Sequence, residues 1–220
     1  MIIGHRAHTA ADWKLDDLCG GAGRLDVLVR CVTAALWKSH GIRHDTDVWL
    51  ILNGPPNAPV TVHISGKNIR YLNPDERSTA ALIRNGLIKY KNEKKSIETS
   101  PGITMERIGL DDVLKRLPNS ILLSEDGSDT ITKANTFILG DDKDPNEKEM
   151  EILKKLPNPI LLSENGGGTI GKANTFILGD DKDPTEEEMK ILKILPKISL
   201  GKESLLSSAC ITLIHHRLDN

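Results

Sequence analysis

The undecapeptide NTFILGDDKDP stands at residues 135–145 and again, letter for letter, at 174–184, thirty-nine residues further on. It belongs to a longer duplication, LPNSILLSEDGSDTITKANTFILGDDKDPNEKEMEILKK at 117–155 followed directly by LPNPILLSENGGGTIGKANTFILGDDKDPTEEEMKILKI at 156–194, with 30 of 39 positions identical. Each copy reads as strand, loop, strand, turn, helix, so the fold must place two interchangeable units. Asp144 or Asp183 can cap the helix that follows, Pro145 or Pro184 takes the first helical position, and glutamates fill the first turn. GDDKDP superficially resembles a calcium loop, but the glycine and the terminal bidentate glutamate of such a loop are not at their places. A solenoid is excluded because two units are too few and the flanks do not repeat.

The second strand of each unit, TFILG, is apolar at nearly every position, as in strands covered on both faces. Both copies are therefore expected in one continuous core. Elsewhere the chain alternates elements. IIGHRAH (2–8) reads as a strand, and 23–41 as a helix, because Leu25, Leu28, Val29, Val32, Leu36 and Trp37 recur at helical spacing before Gly41. VWLILNG and VTVHISG, parted by the turn PPNAP, and then IRYL read as short strands. A second helix is expected from about Pro74 to Lys91, with Asn73 as N-cap. NEKKSIETSPG reads as a polar linker, ITMER as a strand, LDDVLKRL as a short helix, PKISL as a last strand, and the chain ends in an apolar helix. Strands alternating with helices argue for a mainly parallel α/β sheet with helices on both faces, whose ligands sit beyond the carboxyl ends of strands. The loops LSENGGG, LGDD and SLGKES all stand at such ends.

Composition narrows the function classes. No apolar run approaches the roughly 20 residues of a membrane span, and the amino terminus has no basic stretch followed by an apolar core, so a cytoplasmic protein is expected. Cys19, Cys31 and Cys210 are odd in number and lack C-x-x-C spacing, and the adjacent His215 and His216 point about 100° apart on a helix, so neither a disulfide framework nor a metal site is suggested. The formal net charge of −2 hides an asymmetry: residues 1–116 carry 17 Lys and Arg against 13 Asp and Glu, and residues 117–220 carry 12 against 18. The positive half is a weak signal for a polyanion such as RNA.

GRLDVLVRCV (23–32), NPDERS (73–78), TSPGI (99–103), FILGD, KISLGKESLLSSAC and CITLIHHRLD, in this order from about Gly20 to the carboxyl terminus, resemble the archaeal tRNA pseudouridine N1-methyltransferases, a family of the SPOUT class. No one of these motifs is specific alone; the ordered set is. The resemblance implies a single trefoil-knotted α/β domain over 1–220, a homodimer, and S-adenosylmethionine as methyl donor to N1 of pseudouridine 54 in tRNA. It places the knot in the last strands and carboxyl-terminal helix, and the donor in a cradle of loops at that knot: Leu162 and Ser163, Gly179 and Asp180, the loop Leu200, Gly201, Lys202, Glu203, Ser204 and Leu205, and Cys210, with Ile211 adding to the apolar wall.

Where the family has one unit between ITMER and KISL, this chain has two. Copy two is contiguous with the last strand and helix and is expected to complete the cradle; copy one, through Leu123, Ser124, Gly140 and Asp141, is the alternative, and a hybrid is a third arrangement. The doubling leaves a spare strand pair at the sheet edge, or makes the carboxyl terminus thread a second loop into a more complex knot, or was built deliberately. On the acceptor side, Asp26 is the candidate for orienting or accepting the N1 proton and Arg24 for holding a phosphate or the uracil carbonyl; the plainer reading is a pair of helix-terminal charges. Arg77 reads as a partner of Asp75 and Glu76, and Cys210 as a packing residue. Aromatic residues make up 3% of the chain, so base stacking is not advertised. Methylation of a pseudouridine in small-subunit rRNA and a non-catalytic RNA-binding role are the alternatives.

Overall fold

The computed structural model of the chain describes residues 1–93, 95–117, 121–128, 160–162, 176–179, 197–198, 200 and 205–219. They fall into two compact units, Ile3–Gly109 and Leu110–Asn220, the latter taking in Met1–Ile2.

The first unit contains all but the first residue of β1 (Ile2–Gly4), and α1 (Leu25–Leu36), β2 (Trp37–Lys38), β3 (Gly41–Ile42), β4 (Asp47–Leu52), β5 (Val60–Ser65), α2 (Glu76–Tyr90), β6 (Ile97–Ser100) and β7 (Ile103–Glu106). Its sheet runs β1-β4-β5-β7-β6. The turn PPNAP returns the chain on itself, so β4 and β5 pair antiparallel over six residues, from Asp47 opposite Ser65 to Leu52 opposite Val60. β7 pairs antiparallel with both β5 and β6. Helix α1 packs on β4 and on α2, and α2 also covers β6 and β7. The helical spacing read in the sequence becomes the buried stripe Leu25, Leu28, Val29, Val32 and Leu36, joined by Leu50, Ile51, Leu52, Val62, Ile64, Ile83 and Met105. Each such side chain removed from water contributes about 1.5–3 kcal/mol. Gly86 lets α2 approach β7: a Cβ there would stand 2.4 Å from Met105 Cε.

Several boundaries differ from the sequence reading, each for a local reason. α1 stops at Leu36 rather than at His40, because Trp37 turns extended and 37–38 and 41–42 form a two-stranded hairpin that opens at Gly41. The α2 cap is Asp75, not Asn73: its carboxylate accepts the Ser78 N–H at 2.8 Å. IRYL is not a strand; its backbone turns at Tyr71, with φ +64°. Part of the polar linker is strand β6, an edge strand whose Thr99 is buried and whose register shifts between Glu98 and Ser100.

The second unit contains α3 (Leu110–Arg116), β8 (Ile121–Ser128), β9 (Ile160–Leu162), β10 (Phe176–Gly179), β11 (Lys197–Ile198) and α4 (Ser207–Asp219). All described pairings among these strands are parallel, in the order β11-β9-β8-β10. The α/β class is the expected one, with antiparallel pairing in β4–β7 and parallel pairing in β8–β11. Strands of both repeat copies share one sheet: Ile121, Leu122 and Leu123 of copy one stand opposite Ile160, Leu161 and Leu162 of copy two, each residue beside its own repeat equivalent. The copy-one strand is interior, with β9 on one side and β10 on the other, and β11 pairs with it as well. The second strand of copy one and the path of the expected knot lie outside the described residues.

Candidate active site

Glycines shape the entry to α1. The loop after β1 is pinned between two of them: a Cβ on Gly23 would stand 1.9 Å from the Arg6 carbonyl oxygen, and one on Gly54 would stand 2.2 Å from it. Gly23 has φ +65°, a conformation a glycine adopts without strain. Asp17 ties the preceding turn, accepting the Gly20 and Gly21 N–H groups at 2.9 and 2.8 Å. Arg24 then enters the helix at φ +66°. For a side-chain-bearing residue this left-handed conformation costs on the order of 1–2 kcal/mol.

The strained arginine reaches Asp26. Arg24 donates from Nε to Asp26 Oδ1 at 3.1 Å and from a terminal nitrogen to Oδ2 at 3.3 Å. Arg30, one turn on, donates to the same Oδ2 at 2.8 Å and extends to Glu76 Oε1 at 3.5 Å. The Asp26 side chain is 13% exposed. Burial pushes its pKa up, but the hydrogen bonds and charges of Arg24 and Arg30 outweigh burial and leave it below its ordinary 3.8. A carboxylate held ionised in this way is a weak base and a standing hydrogen-bond acceptor. The arrangement therefore favours orienting an N–H over carrying its proton away.

Arg24 and Asp26 are thus paired with one another at the start of α1, in a network that includes Arg30 and Glu76. Arg30 and Glu76 were missed. The signal for Arg30 was present, since Asp26 and Arg30 stand four apart on one helix; Glu76, forty-six residues from Arg30, left no local trace. Glu76 pairs with Arg30, not with the neighbouring Arg77, which is exposed.

In the second unit β8, β9, β10 and β11 are parallel, so β9, β10 and β11 end in the same direction, while β8 runs on to Ser128. Leu162 ends β9 opposite Leu123, Gly179 ends β10 two residues past the Ile177–Leu122 pair, and Ile198 stands opposite Leu162. By this register Leu162 stands at the level of Leu123 and Gly179 one residue further along, at that of Ser124, with β8 between them. At roughly 4.8 Å per strand that interval is about 10 Å, and copy one's Leu123 and Ser124 occupy it. In α4, Cys210 and Ile211 are buried, and the Cys210 thiol donates to the Leu205 carbonyl oxygen at 3.9 Å. Leu200 is half-buried and Leu205 is 37% exposed. Ser163, Asp180, Gly201, Lys202, Glu203 and Ser204 lie outside the described residues.

This set fits an adenosyl ligand in kind. Strand-end backbone N–H and C=O groups can pair with a base edge, Gly179 carries no Cβ to obstruct approach to the backbone, and Leu205 offers accessible apolar surface. Among the described residues, no three His, Cys, Asp or Glu side chains gather so as to hold a metal ion. None of the described helices is long and apolar enough to cross a membrane.

The chain thus has one unit with parallel strands and another with an arginine-clamped carboxylate. Archaeoglobus fulgidus Nep1, solved bound to S-adenosylhomocysteine, shares the fold with a TM-score of 0.50 at 17% identity, covering 90% of this chain and 70% of that one. The chain belongs to the family described as "Putative SAM-dependent RNA methyltransferase", whose pattern matches residues 1–162 and 156–220. The two matches share 156–162, so β9 closes the first and opens the second. Among the relatives, the tRNA (pseudouridine(54)-N(1))-methyltransferase of Methanosarcina acetivorans is 39% identical over 226 aligned positions, covering 100% of this chain and 89% of its own length. That of Methanocella arvoryzae is 40% identical over 153 residues, 68% of this chain and 80% of its own length.

Proposed function

We propose that the chain transfers a methyl group from S-adenosylmethionine to N1 of pseudouridine 54 in tRNA. The observation that carries this reading is the 39% identity to the Methanosarcina acetivorans enzyme over the whole of this chain. When bound, the donor supplies an electrophilic methyl on a sulfonium; an N–CH3 bond forms, the S–CH3 bond breaks, sulfur becomes a thioether and the N1 proton passes to solvent. Asp26, kept ionised by Arg24 and Arg30, accepts a hydrogen bond from N1–H and so fixes the orientation of the base before that proton leaves. Arg24, held beside Asp26, presents a guanidinium suited to a uracil carbonyl or a phosphate.

The donor cradle, in this reading, is made by Leu162, Ser163, Gly179, Asp180, the loop 200–205 and Cys210. The position of β8 between β9 and β10 supports the hybrid form, in which copy one's Leu123 and Ser124 provide the floor beneath copy two's loops. The proposal includes action as a homodimer in the cytoplasm, which sedimentation of the purified chain and localisation of a tagged copy test. The reading as a whole is tested by titrating S-adenosylmethionine calorimetrically, then assaying tRNA with and without pseudouridine at position 54 by nucleoside mass spectrometry. Heat on titration and N1-methylpseudouridine only in the pseudouridine-bearing tRNA are expected. Absence of heat sinks the assignment, and methylation indifferent to position 54 sinks the substrate.

A further inference from the structure

Among the described residues two non-glycine residues have positive φ, Arg24 at +66° and Tyr71 at +64°. Backbone strain of this kind persists where surrounding structure over-determines it and concentrates at functional sites. Arg24 belongs to the candidate active site. Tyr71 has no part in the chemistry described above, yet its loop leads into it: five residues on, Glu76 pairs with Arg30, which pairs with Asp26, which pairs with Arg24. Five residues of chain reach at most about 17 Å.

The loop is held rigidly. Ile69 N–H donates to the Ser65 carbonyl at 2.8 Å and Arg70 N–H to the Pro101 carbonyl at 3.3 Å. Gly102 packs so closely that a Cβ on it would stand 2.4 Å from the Ile69 nitrogen. Ile69 and Leu72 are both buried, and between these anchors Tyr71 is 73% exposed. A chain with 3% aromatic residues thus presents one of them to solvent on an anchored, strained turn. Lys67, Arg70 and Arg77 around it are exposed. Residues 66–74 carry Lys67 and Arg70 and no acid; of the acids nearby, Asp75 caps α2, Glu76 pairs with Arg30 and Glu98 accepts the Gly102 N–H.

We infer that Tyr71 is a stacking platform for an unpaired base of the RNA substrate, with Lys67 and Arg70 beside it on backbone phosphates. An aromatic ring with flanking cations is what single-stranded or loop RNA requires, because every base offers a π-face and every nucleotide a charge. The inference rests on the RNA-methyltransferase reading and adds to it a point of substrate contact.

The test is equilibrium binding of a fluorescently labelled tRNA transcript to the full chain and to Tyr71→Gly, Tyr71→Phe, Lys67→Ala and Arg70→Ala, with a thermal melt of each. Glycine accepts φ +64° freely, so Tyr71→Gly melts at or above the parent temperature; should it fail to fold, Tyr71→Asn, also tolerant of this conformation, replaces it. Tyr71→Gly is expected to weaken binding about fivefold to a hundredfold and Tyr71→Phe by less than about twofold. Lys67→Ala and Arg70→Ala each lower the slope of log K against log salt by about one. Tyr71→Gly binding tRNA as the parent does would overturn the inference, as would unchanged RNA affinity with an altered oligomeric state, which marks Tyr71 as a protein contact. A parent chain that binds S-adenosylhomocysteine but no tRNA sinks the substrate reading, and this inference with it.

Discussion

Residues 3–109 and residues 110–219 both pair strands, but under opposite conditions of information. In the first unit no two strands share a sequence, and a short turn sets the six-residue register of β4 on β5. A slip of one residue there would turn the whole buried set of β5 outward, so one pairing wins by a wide margin. In the second unit Ile121–Leu123 and Ile160–Leu162 are the same three letters lying side by side, each beside its own repeat. Exchanging those two strands changes no local contact. Differences between segments, not their individual propensities, make a pairing unique, and here only connectivity and the nine unlike positions of the repeat can choose.

The sharpest way to break the comparison is to damage the well-specified unit at a point that only one residue satisfies. Gly23→Ala adds a Cβ 1.9 Å from a backbone oxygen at φ +65°, so both sterics and backbone conformation oppose it. Denaturant unfolding is expected to show a loss on the order of 3 kcal/mol or more. A loss under about 1 kcal/mol would mean that the loop after β1 yields easily and the unit is less uniquely built than its register implies.

The next effect sharpens the comparison by asking whether identical segments do identical work. Gly140 and Gly179 occupy equivalent repeat positions, and Gly179 stands at the strand-end edge beside β8. Gly179→Val should weaken S-adenosylhomocysteine binding by roughly a hundredfold through steric exclusion, whereas Gly140→Val should change it by less than about threefold. Equal losses at both, measured calorimetrically, would show that the two copies contribute alike.

The same asymmetry governs what was legible in advance. In the first unit the apolar spacing of Leu25, Leu28, Val29, Val32 and Leu36 carried α1, and alternating branched residues around PPNAP carried β4 and β5. The failures there were local ones: Trp37 leaving the helix for a hairpin, Asp75 outcompeting Asn73 for the cap, and Thr99 hidden in a stretch whose polarity suggested a linker. Tyr71 was misread as strand because branched and aromatic residues favour extended structure, and nothing in IRYL announces a left-handed turn between buried Ile69 and Leu72. Of the candidate site, Arg24 and Asp26 were singled out at the start of the first helix, while the Arg30–Glu76 pair needed tertiary structure. In the second unit the sequence announced the strands but could not say which copy lies beside which, because equal letters carry no preference.

A third measurement probes the acceptor network. Asp26→Asn removes charge-assisted bonds from Arg24 and Arg30 at a mostly buried carboxylate and should cost about 2 kcal/mol at neutral pH. Because folding lowers the pKa of Asp26 below 3.8, its contribution is present above that value and is lost as pH falls through the folded one. The stability gap between parent and variant should therefore close on acidification below about pH 4. A gap that persists unchanged at low pH would assign the cost to packing instead of charge.

The smallest expected effect falls on a purely local device. Asp75→Ala deletes the carboxylate that accepts the Ser78 N–H and hydroxyl at the start of α2. Those hydrogen bonds hold the Asp75 pKa down, so the parent loses the same support as pH falls through that lowered value. At neutral pH a melting temperature lower by roughly 2–4 °C is expected, because the cap is solvent-exposed while the helix is held by Ala80, Ile83 and Leu87 in the core. The consequence reaches beyond stability, since Glu76 is the first residue of that helix and the partner of Arg30. Fraying of the first turn would loosen the Arg30–Glu76 pair while Arg24 and Asp26 stay joined. tRNA affinity falling together with the melting temperature, at unchanged S-adenosylhomocysteine affinity, would place α2's first turn on the substrate side of the molecule; a melting shift alone would leave Asp75 as a cap and nothing more.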